Sequence, residues 1–326
     1  MDPLTLTLLA MTALTAATTV PPGDSATAVV VALDMARDSF DDQYRGCGRA
    51  MAAALPALNH SELRHGAAFA EAWALAAAEW RVRLSPGSPG SPRSPGSPLS
   101  PAQAVALLAY TAPVPLHREF NAAVRAAGRS RREYRDNFHF KTLHFLLTQA
   151  LGTLRAAQGS RCHRVFRGVR GVRFEARRGD TVRFGHFASA SLRNESSWGF
   201  GTDAAFQVLT CQGAAIREFS FFPHEEEVLI PPFETFEVTD VANVTKSGDK
   251  ARIQLRSTGT FSNYNCEWLR GDSTGDIAWG TGTPADQRCG DGPCVFDAGR
   301  NIPGDLPHLG GLLLATAALA VATGIC

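Results

Sequence analysis

The chain has 326 residues, with 32 Lys and Arg against 31 Asp and Glu, a formal charge of +1. That length allows one large domain or two small ones, and the balanced charge argues against nucleic acid as a partner. No cysteine pair has zinc-finger spacing with histidines nearby, so no metal is expected.

Residues 4–17, LTLTLLAMTALTAA, form a short apolar run closed by small residues. This pattern reads residues 1–20 as a signal peptide, because the run is too short to span a bilayer. Its leading residues are atypical, with Asp2 and no Lys or Arg; a buried N-terminal helix is the alternative. Residues 29–157 are rich in Ala, Leu, Arg and Glu, with apolar residues at helical spacing. In residues 62–84 a helix puts Phe69, Trp73, Ala76 and Trp80 on one face. Residues 130–157 open on a Ser that suits an N-cap and continue through Phe138, Leu143, Leu147, Leu151 and Leu154. Between them, SPGSPGSPRSPGSPLSP (85–101) is a Ser-Pro-Gly repeat with too little apolar surface for a core, and an exposed insertion is expected.

From Cys162 onward the texture changes. HRVFRGV, VRFGHFASASL, AFQVLTCQG, IREFSFF, EVLIPPFETFEVTDV and RIQLRSTG are short, β-branched or aromatic, and separated by Gly, Asp and Pro. Helices first and strands later predict an α+β fold rather than an alternating βαβ one. Neither a G-x-G-x-x-G after a strand nor a Walker A motif occurs, which excludes ordinary dinucleotide-fold or P-loop binding.

Three pieces of this half carry candidate chemistry. Arg167, followed by Gly168, lies in an otherwise apolar strand and must find an anion. A guanidinium fork fits a carboxylate or a phosphate, so a structural ion pair and a ligand site are both open. Ser189 and Ser191 share one strand face, lining a polar cleft or merely allowing close packing. In an extended segment Glu225 and Glu227 point to one side and Glu226 to the other. Two carboxylates on one face can divide electrostatic and proton-transfer work, against the alternative of a solvated cluster at a turn.

The far C-terminus, LGGLLLATAALAVATGIC, is apolar and uncharged and follows the polar stretch DAGRNIPGD. This is the layout of a GPI-attachment signal, with residues 271–305 as the attachment region and 306–326 as a removed tail. A tail-anchored span or simple secretion is the alternative. Of seven cysteines, Cys326 lies in that tail and an even six remain, consistent with disulfides in an oxidising compartment. Asn59, Asn194 and Asn243 begin N-x-S/T sequons.

Arg, Ser-x-Ser and Glu-x-Glu, in that order, resemble the signature of clostridial-toxin-like mono-ADP-ribosyltransferases. MARDSFDDQYRGC, AYTAPVPLHREFNAAVRAAG, FHFKTLHFLLTQAL, CHRVFRGV, RFGHFASASL, EEEVLIPPFETFEV and SNYNCEWL together resemble the vertebrate ecto-enzymes that modify arginine. The likeness covers nearly all of residues 29–270. It implies a catalytic domain in which an N-terminal helical region packs on two β-sheets that form an NAD cleft. It implies that Arg167, with Gly168 beside it, holds the NAD diphosphate and Ser189 supports the nicotinamide-ribose side, with Ser191 secondary. Glu227 would stabilise the oxocarbenium-like transition state. Glu225 would orient the acceptor guanidinium, Glu226 would face away and be dispensable, and Tyr110 and Phe200 would reach NAD. Disulfides Cys47–Cys266 and Cys162–Cys211 are implied, leaving Cys289 and Cys294 to each other. The resemblance further implies NAD, with NADP as an alternative, as substrate and no bound cofactor. It also implies arginine-containing acceptor proteins and a monomer held to the outer cell surface by a lipid anchor alone. Ala190 departs from the Thr of related toxins but points to the other strand face, and the repeat at 85–101 is unusual. The expected activity is mono-ADP-ribosylation of arginine. An NAD glycohydrolase is the first alternative, which the presence of Glu225 disfavours. An inactive surface interaction protein is the second, which an intact signature disfavours.

Overall fold

The computed structural model describes residues 29–84, 97–194, 203–242 and 252–270. Residues 1–20, most of the Ser-Pro-Gly repeat, Phe200, Asn243, Cys289, Cys294 and the tail beyond 270 lie outside them. Five α-helices are described: α1 (Gly48–His65), α2 (Ala67–Leu84), α3 (Pro101–Thr111), α4 (Leu116–Ala127) and α5 (Lys141–Ala157). Ten strands accompany them: β1 (Val29–Ala32), β2 (His163–Val169), β3 (Val172–Glu175), β4 (Thr181–Val182), β5 (Ala188–Ser191), β6 (Ala204–Thr210), β7 (Ala214–Ala215), β8 (Glu227–Ile230), β9 (Glu234–Ala242) and β10 (Arg252–Thr260). The helices precede all the strands but β1, as an α+β chain requires.

The expected helix over 62–84 is two helices. α1 ends at His65 and Gly66 separates it from α2, on which Phe69, Ala72, Ala76 and Trp80 are buried. The expected helix over 130–157 is also broken. Ser130 does cap, its hydroxyl accepting the Glu133 amide, but a π-helical turn follows at Glu133–Asn137 and α5 begins only at Lys141. The restart has a cause on α1. The buried carboxylate of Glu62 accepts the amides of Lys141 and Thr142 at 2.6 and 2.9 Å, satisfying two of the otherwise unpaired donors of a helix start. The last residues of the 85–101 repeat also differ from expectation. Leu99 is buried, and Ser100 forms a reciprocal capping box with Gln103 ahead of Pro101 at the first helical turn.

Eight strands form one sheet in the order β4-β9-β10-β6-β2-β5-β8-β7, and β1 pairs with β3 separately. The two sheets expected at the cleft are thus two leaves of a single sheet. Their junction is one residue pair, Phe166 of β2 with Ser191 of β5, so the leaves stay joined with little ladder between them. β8 is buried along its whole length. Leu229 belongs to the helical core, while Val228 and Ile230 belong to the core of the larger leaf with Val165, Phe206, Val208 and Phe236. The segment IREFSFF, expected as a strand, is not one. It contains a 3-10 turn at Arg217–Phe219, and its carbonyls at Glu218 and Ser220 are taken by the Arg83 guanidinium of α2.

The ends of the domain are tied by buried acids and a disulfide. Asp41 pairs with Arg183 at 2.6 Å, both side chains fully buried, and also accepts the amides of Asn263 and Tyr264. Asp42 accepts the amides of Tyr44, Cys266 and Glu267. Both implied disulfides are present: Cys47–Cys266 across a sequence separation of 219 residues, and Cys162–Cys211 across 49. The chain-entropy contribution rises with loop length. Replacing Cys47 and Cys266 together by alanine is expected to lower unfolding stability by about 4–5 kcal/mol in denaturant titration, more than the same change at Cys162 and Cys211.

Candidate active site

The residues singled out by sequence converge where the two leaves meet. β2 brings Arg167, β5 brings Ser189 and β8 begins with Glu227. The register Phe166↔Ser191 and Ser191↔Glu227 places the three strands side by side. Arg167 crosses the junction and donates from Nη1 to the Ser189 carbonyl at 2.5 Å. Burial pulls its pKa down from the ordinary arginine value. Tyr110 and Glu227 oppose that shift, while the nearby Arg125 guanidinium adds to it. A desolvated guanidinium beside a second cation favours an anion that can serve both. Gly168, the next residue of β2, is also buried and pairs with Ala205, so no side chain crowds this place.

Glu227 is 6 % exposed. Burial raises its pKa to about 7, and the neighbouring Glu225 charge adds to the rise. Hydrogen bonds from Ser189 and Ser220 and the Arg167 charge act against it. The Ser220 contact is long, 3.5 Å, and that hydroxyl also accepts the Phe222 amide at 3.0 Å. The carboxylate therefore has few donors, and the shift follows from that poverty as much as from burial.

Glu225–Glu227 is not extended, contrary to the alternation expected from sequence. Glu225 closes a 3-10 turn at Pro223–Glu225, and Glu226 takes left-handed backbone angles, φ 48° and ψ 49°. β8 starts only at Glu227. The two outer glutamates still come within electrostatic reach of each other, and Glu226 turns instead to Arg193 at 2.7 Å. The Glu225 carboxylate, partly exposed, has no hydrogen-bond or ion-pair partner among the described residues.

The two serines of β5 separate in use. Ser189 sits against Glu227 and Tyr110. Ser191, buried, donates to the Glu225 carbonyl at 2.7 Å and accepts the Arg193 amide. Ala190 faces the other way into the core of the larger leaf. Tyr110 is on α3 and buried. Its hydroxyl donates to the Phe187 carbonyl at 2.8 Å and accepts from Asn121, so it forms the floor beneath Ser189 rather than an open contact surface.

Two neighbours were not foreseen from sequence. Arg125 of α4 acts electrostatically on Arg167, Tyr110 and the half-buried His186. Burial, with Arg167 and Arg125 alongside, lowers the His186 pKa to about 3, so its imidazole stays neutral and adds no third cation. Arg125 also lines a cavity of about 600 Å³ formed with residues 33–39, Asp180 and Thr181, a lining that does not include Arg167, Ser189 or Glu227. Nothing in residues 109–128 read as sequence separates Arg125 from any other exposed helical arginine. Among the described residues no group of three or more His, Cys, Asp or Glu side chains is arranged to hold a metal ion. Of the sequons, Asn194 is exposed, whereas Asn59 lies within α1 with its side-chain oxygen buried and unpartnered.

Comparison with known proteins agrees with this arrangement. The family model for NAD:arginine ADP-ribosyltransferases matches residues 33–263. The chain is 49% identical over 284 residues to the GPI-linked NAD(P)(+)--arginine ADP-ribosyltransferase 1 of Mus musculus, covering 86% of this chain and 82% of that one. It is 46% identical over 273 residues to the erythroblast NAD(P)(+)--arginine ADP-ribosyltransferase of Gallus gallus, covering 84% and 83%. The crystal structure of the eucaryotic mono-ADP-ribosyltransferase ART2.2 superposes with a TM-score of 0.60 at 32% identity, over 73% of this chain and 98% of that one. A glutamate-to-alanine mutant of ART2.2 in complex with NADH gives 0.59 at 34%, with the same coverage. With its fold, its two disulfides and its Arg–Ser–Glu cluster in place, the chain belongs to the NAD:arginine ADP-ribosyltransferase family.

Proposed function

We propose that this chain transfers ADP-ribose from NAD to the guanidino group of arginine in acceptor proteins. The observation that carries the reading is the buried, donor-poor Glu227 set between Ser189 and the Arg167 guanidinium, with Glu225, which has no hydrogen-bond or ion-pair partner among the described residues, beside it. Arg167 and Arg125 would take the diphosphate, for which two converging guanidinium groups are suited. Ser189 would hold Glu227 and the nicotinamide ribose, and Phe200 would pack near the nicotinamide. The bond from ribose C1′ to the nicotinamide nitrogen breaks, and nicotinamide leaves with the electron pair. The ionised Glu227 carboxylate, fixed and poorly solvated, stabilises the positive charge that grows on the ribose. The acceptor guanidinium gives up a proton, Glu225 orienting it and helping to take that proton, and a guanidino nitrogen closes the new bond to C1′.

NAD is the substrate on this reading, and NADP is a second candidate because relatives carry NAD(P)(+) in their names. The GPI-linked naming of relatives and the apolar C-terminus of this chain support attachment at the outer cell surface, with residues 1–20 and 306–326 removed. Hydrolysis of NAD is the competing outcome when water replaces the acceptor, and Glu225 is what favours transfer.

Glu227→Gln is expected to reduce both ADP-ribosyl-agmatine formation and NAD hydrolysis by about a thousandfold or more, because the displaced charge serves both reactions. Retained transfer would overturn the assignment. The same change should stabilise the fold. The folded carboxyl titrates at about 7 against 4.5 for the free group, so the folded state binds more protons between these values. Ionising it in place therefore costs stability that is absent below the lower value, grows as pH rises and levels off above the upper one. Glutamine escapes that cost. Its gain should approach about 3 kcal/mol near pH 8 and vanish near pH 4 in paired denaturation curves.

Glu225→Gln should leave NAD hydrolysis within about threefold of the parent while transfer to agmatine falls by about a hundredfold. Equal loss of both products would remove the acceptor-orienting role. Because Glu227 works ionised, kcat/KM for NAD should climb as pH passes about 7 and then level off. A profile flat from pH 5 to 8 would contradict a working carboxylate that is protonated in the free enzyme.

A further inference from the structure

We propose that Glu226, through its ion pair with Arg193, is a positioning residue that holds the turn carrying Glu225 for the acceptor. The inference rests on the transferase reading above. It departs from the sequence expectation that Glu226 is dispensable.

The backbone of Glu226 is the starting observation. Left-handed angles of 48° and 49° cost an L-residue roughly 1–2 kcal/mol, and Gly or Asn is the usual occupant. A glutamate here needs a reason in its side chain. Its carboxylate lies 2.7 Å from Arg193 Nη2 and 3.9 Å from Arg217 Nη1, and it is 21% exposed against 58% and 63% for the arginines. Exposed pairs of this kind contribute about 1 kcal/mol or less. That offsets only part of the backbone cost, so the pair adds no net stability and its value lies in where it puts the chain.

What it puts in place is Glu225. The end of β5 grips the turn with backbone and hydroxyl groups: Ser191 Oγ donates to the Glu225 carbonyl and Leu192 donates its amide to the Glu226 carbonyl at 3.2 Å. Arg193 belongs to the same three residues, and its own amide bonds to Ser191 Oγ. Among the described residues the Arg193–Glu226 pair is the contact by which a side chain of the turn reaches the end of β5. It closes a ring through Ser191, Glu225, Glu226 and Arg193. Glu227 is outside the ring, held by its strand ladder to Ser191 and by Ser189. Loosening the pair should therefore release Glu225 without moving Glu227, which separates acceptor handling from cleavage of NAD.

The test measures ADP-ribosyl-agmatine and free ADP-ribose together for the parent chain and for Glu226→Gly, Arg193→Ala and the double variant. Glycine accepts the left-handed angles, so Glu226→Gly should keep its thermal midpoint. Its KM for agmatine should rise about fivefold to tenfold, and its ratio of transfer to hydrolysis should fall by the same factor, with hydrolysis within about twofold. Arg193→Ala should shift the ratio in the same direction by less, because Glu226 keeps Arg217 at 3.9 Å, and the double variant should be no worse than Glu226→Gly, which already removes both pairs. Unchanged ratios in both single variants, or single effects that multiply in the double, overturn the proposal. A parent chain that makes no ADP-ribosyl-agmatine overturns the transferase reading and this inference with it. A parent that makes it, with variants that keep its ratio, overturns this inference alone.

Discussion

The site depends on the register that joins β2, β5 and β8. Phe166 opposes Ser191, and Ser191 opposes Glu227. Neighbouring strands lie about 4.8 Å apart, so side chains of adjacent positions on three such strands reach a common place without any loop having to carry them. A slip of one residue would exchange the faces of β8, sending Glu227 and Leu229 toward the larger leaf and Val228 toward the helices. Packing on both faces of β8 opposes that slip, because Leu229 fits the helical core while Val228 and Ile230 fit the other, and the slip would carry Glu227 into that apolar core. The reactive geometry is thus held by packing at positions that do no chemistry.

Several buried acids in this fold are structural, and their donors distinguish them from Glu227. Glu234 accepts from Thr210 Oγ1, Ser257 Oγ and the amides of Cys211 and Gln212. Glu62 accepts two helix-start amides, Asp42 three backbone amides, and Asp41 two amides and Arg183 Nη1. A carboxylate so supplied is fully committed to the fold. Among the described residues Glu227 has hydroxyls alone as donors, one of them at long range. Its burial without matching donors is a stability cost that makes sense where a ligand will complete the set.

Much of this was legible in the sequence. The strict alternation of β6 appears directly in its burial, and the apolar spacing of α2 and α5 lies on their buried faces. Arg167, Ser189 and Glu227 came together because a resemblance to a known signature placed them in order. What stayed hidden was set by partners distant in sequence. Glu62 restarts a helix some eighty residues on, and no local pattern announces that. Arg125 is exposed on α4, and only the folded chain brings it within electrostatic reach of Arg167 on β2. The Glu225–Glu227 turn was misread as extended because glutamate is not a turn-forming residue. The left-handed angle at Glu226 is sustained by Arg193 and by the end of β5.

On the function proposed above, the charge distribution suits a ligand that is anionic at one end and cationic at the other. Arg167 and Arg125 stand together with a neutral His186, an arrangement that repels itself until phosphate oxygens arrive. At the other side Glu227 and Glu225 raise each other's cost of ionisation until a positive group comes between or beside them. On that proposal a dinucleotide with a diphosphate and a pyridinium would supply both at once, relieving the two frustrated pairs in a single binding event. Loss of the pyridinium then transfers the need for positive charge to the ribose carbon, and afterwards to an incoming guanidinium. On the proposed mechanism the same two unsatisfied charge pairs would favour binding first and, once nicotinamide departs, the stabilisation of the cation it leaves behind.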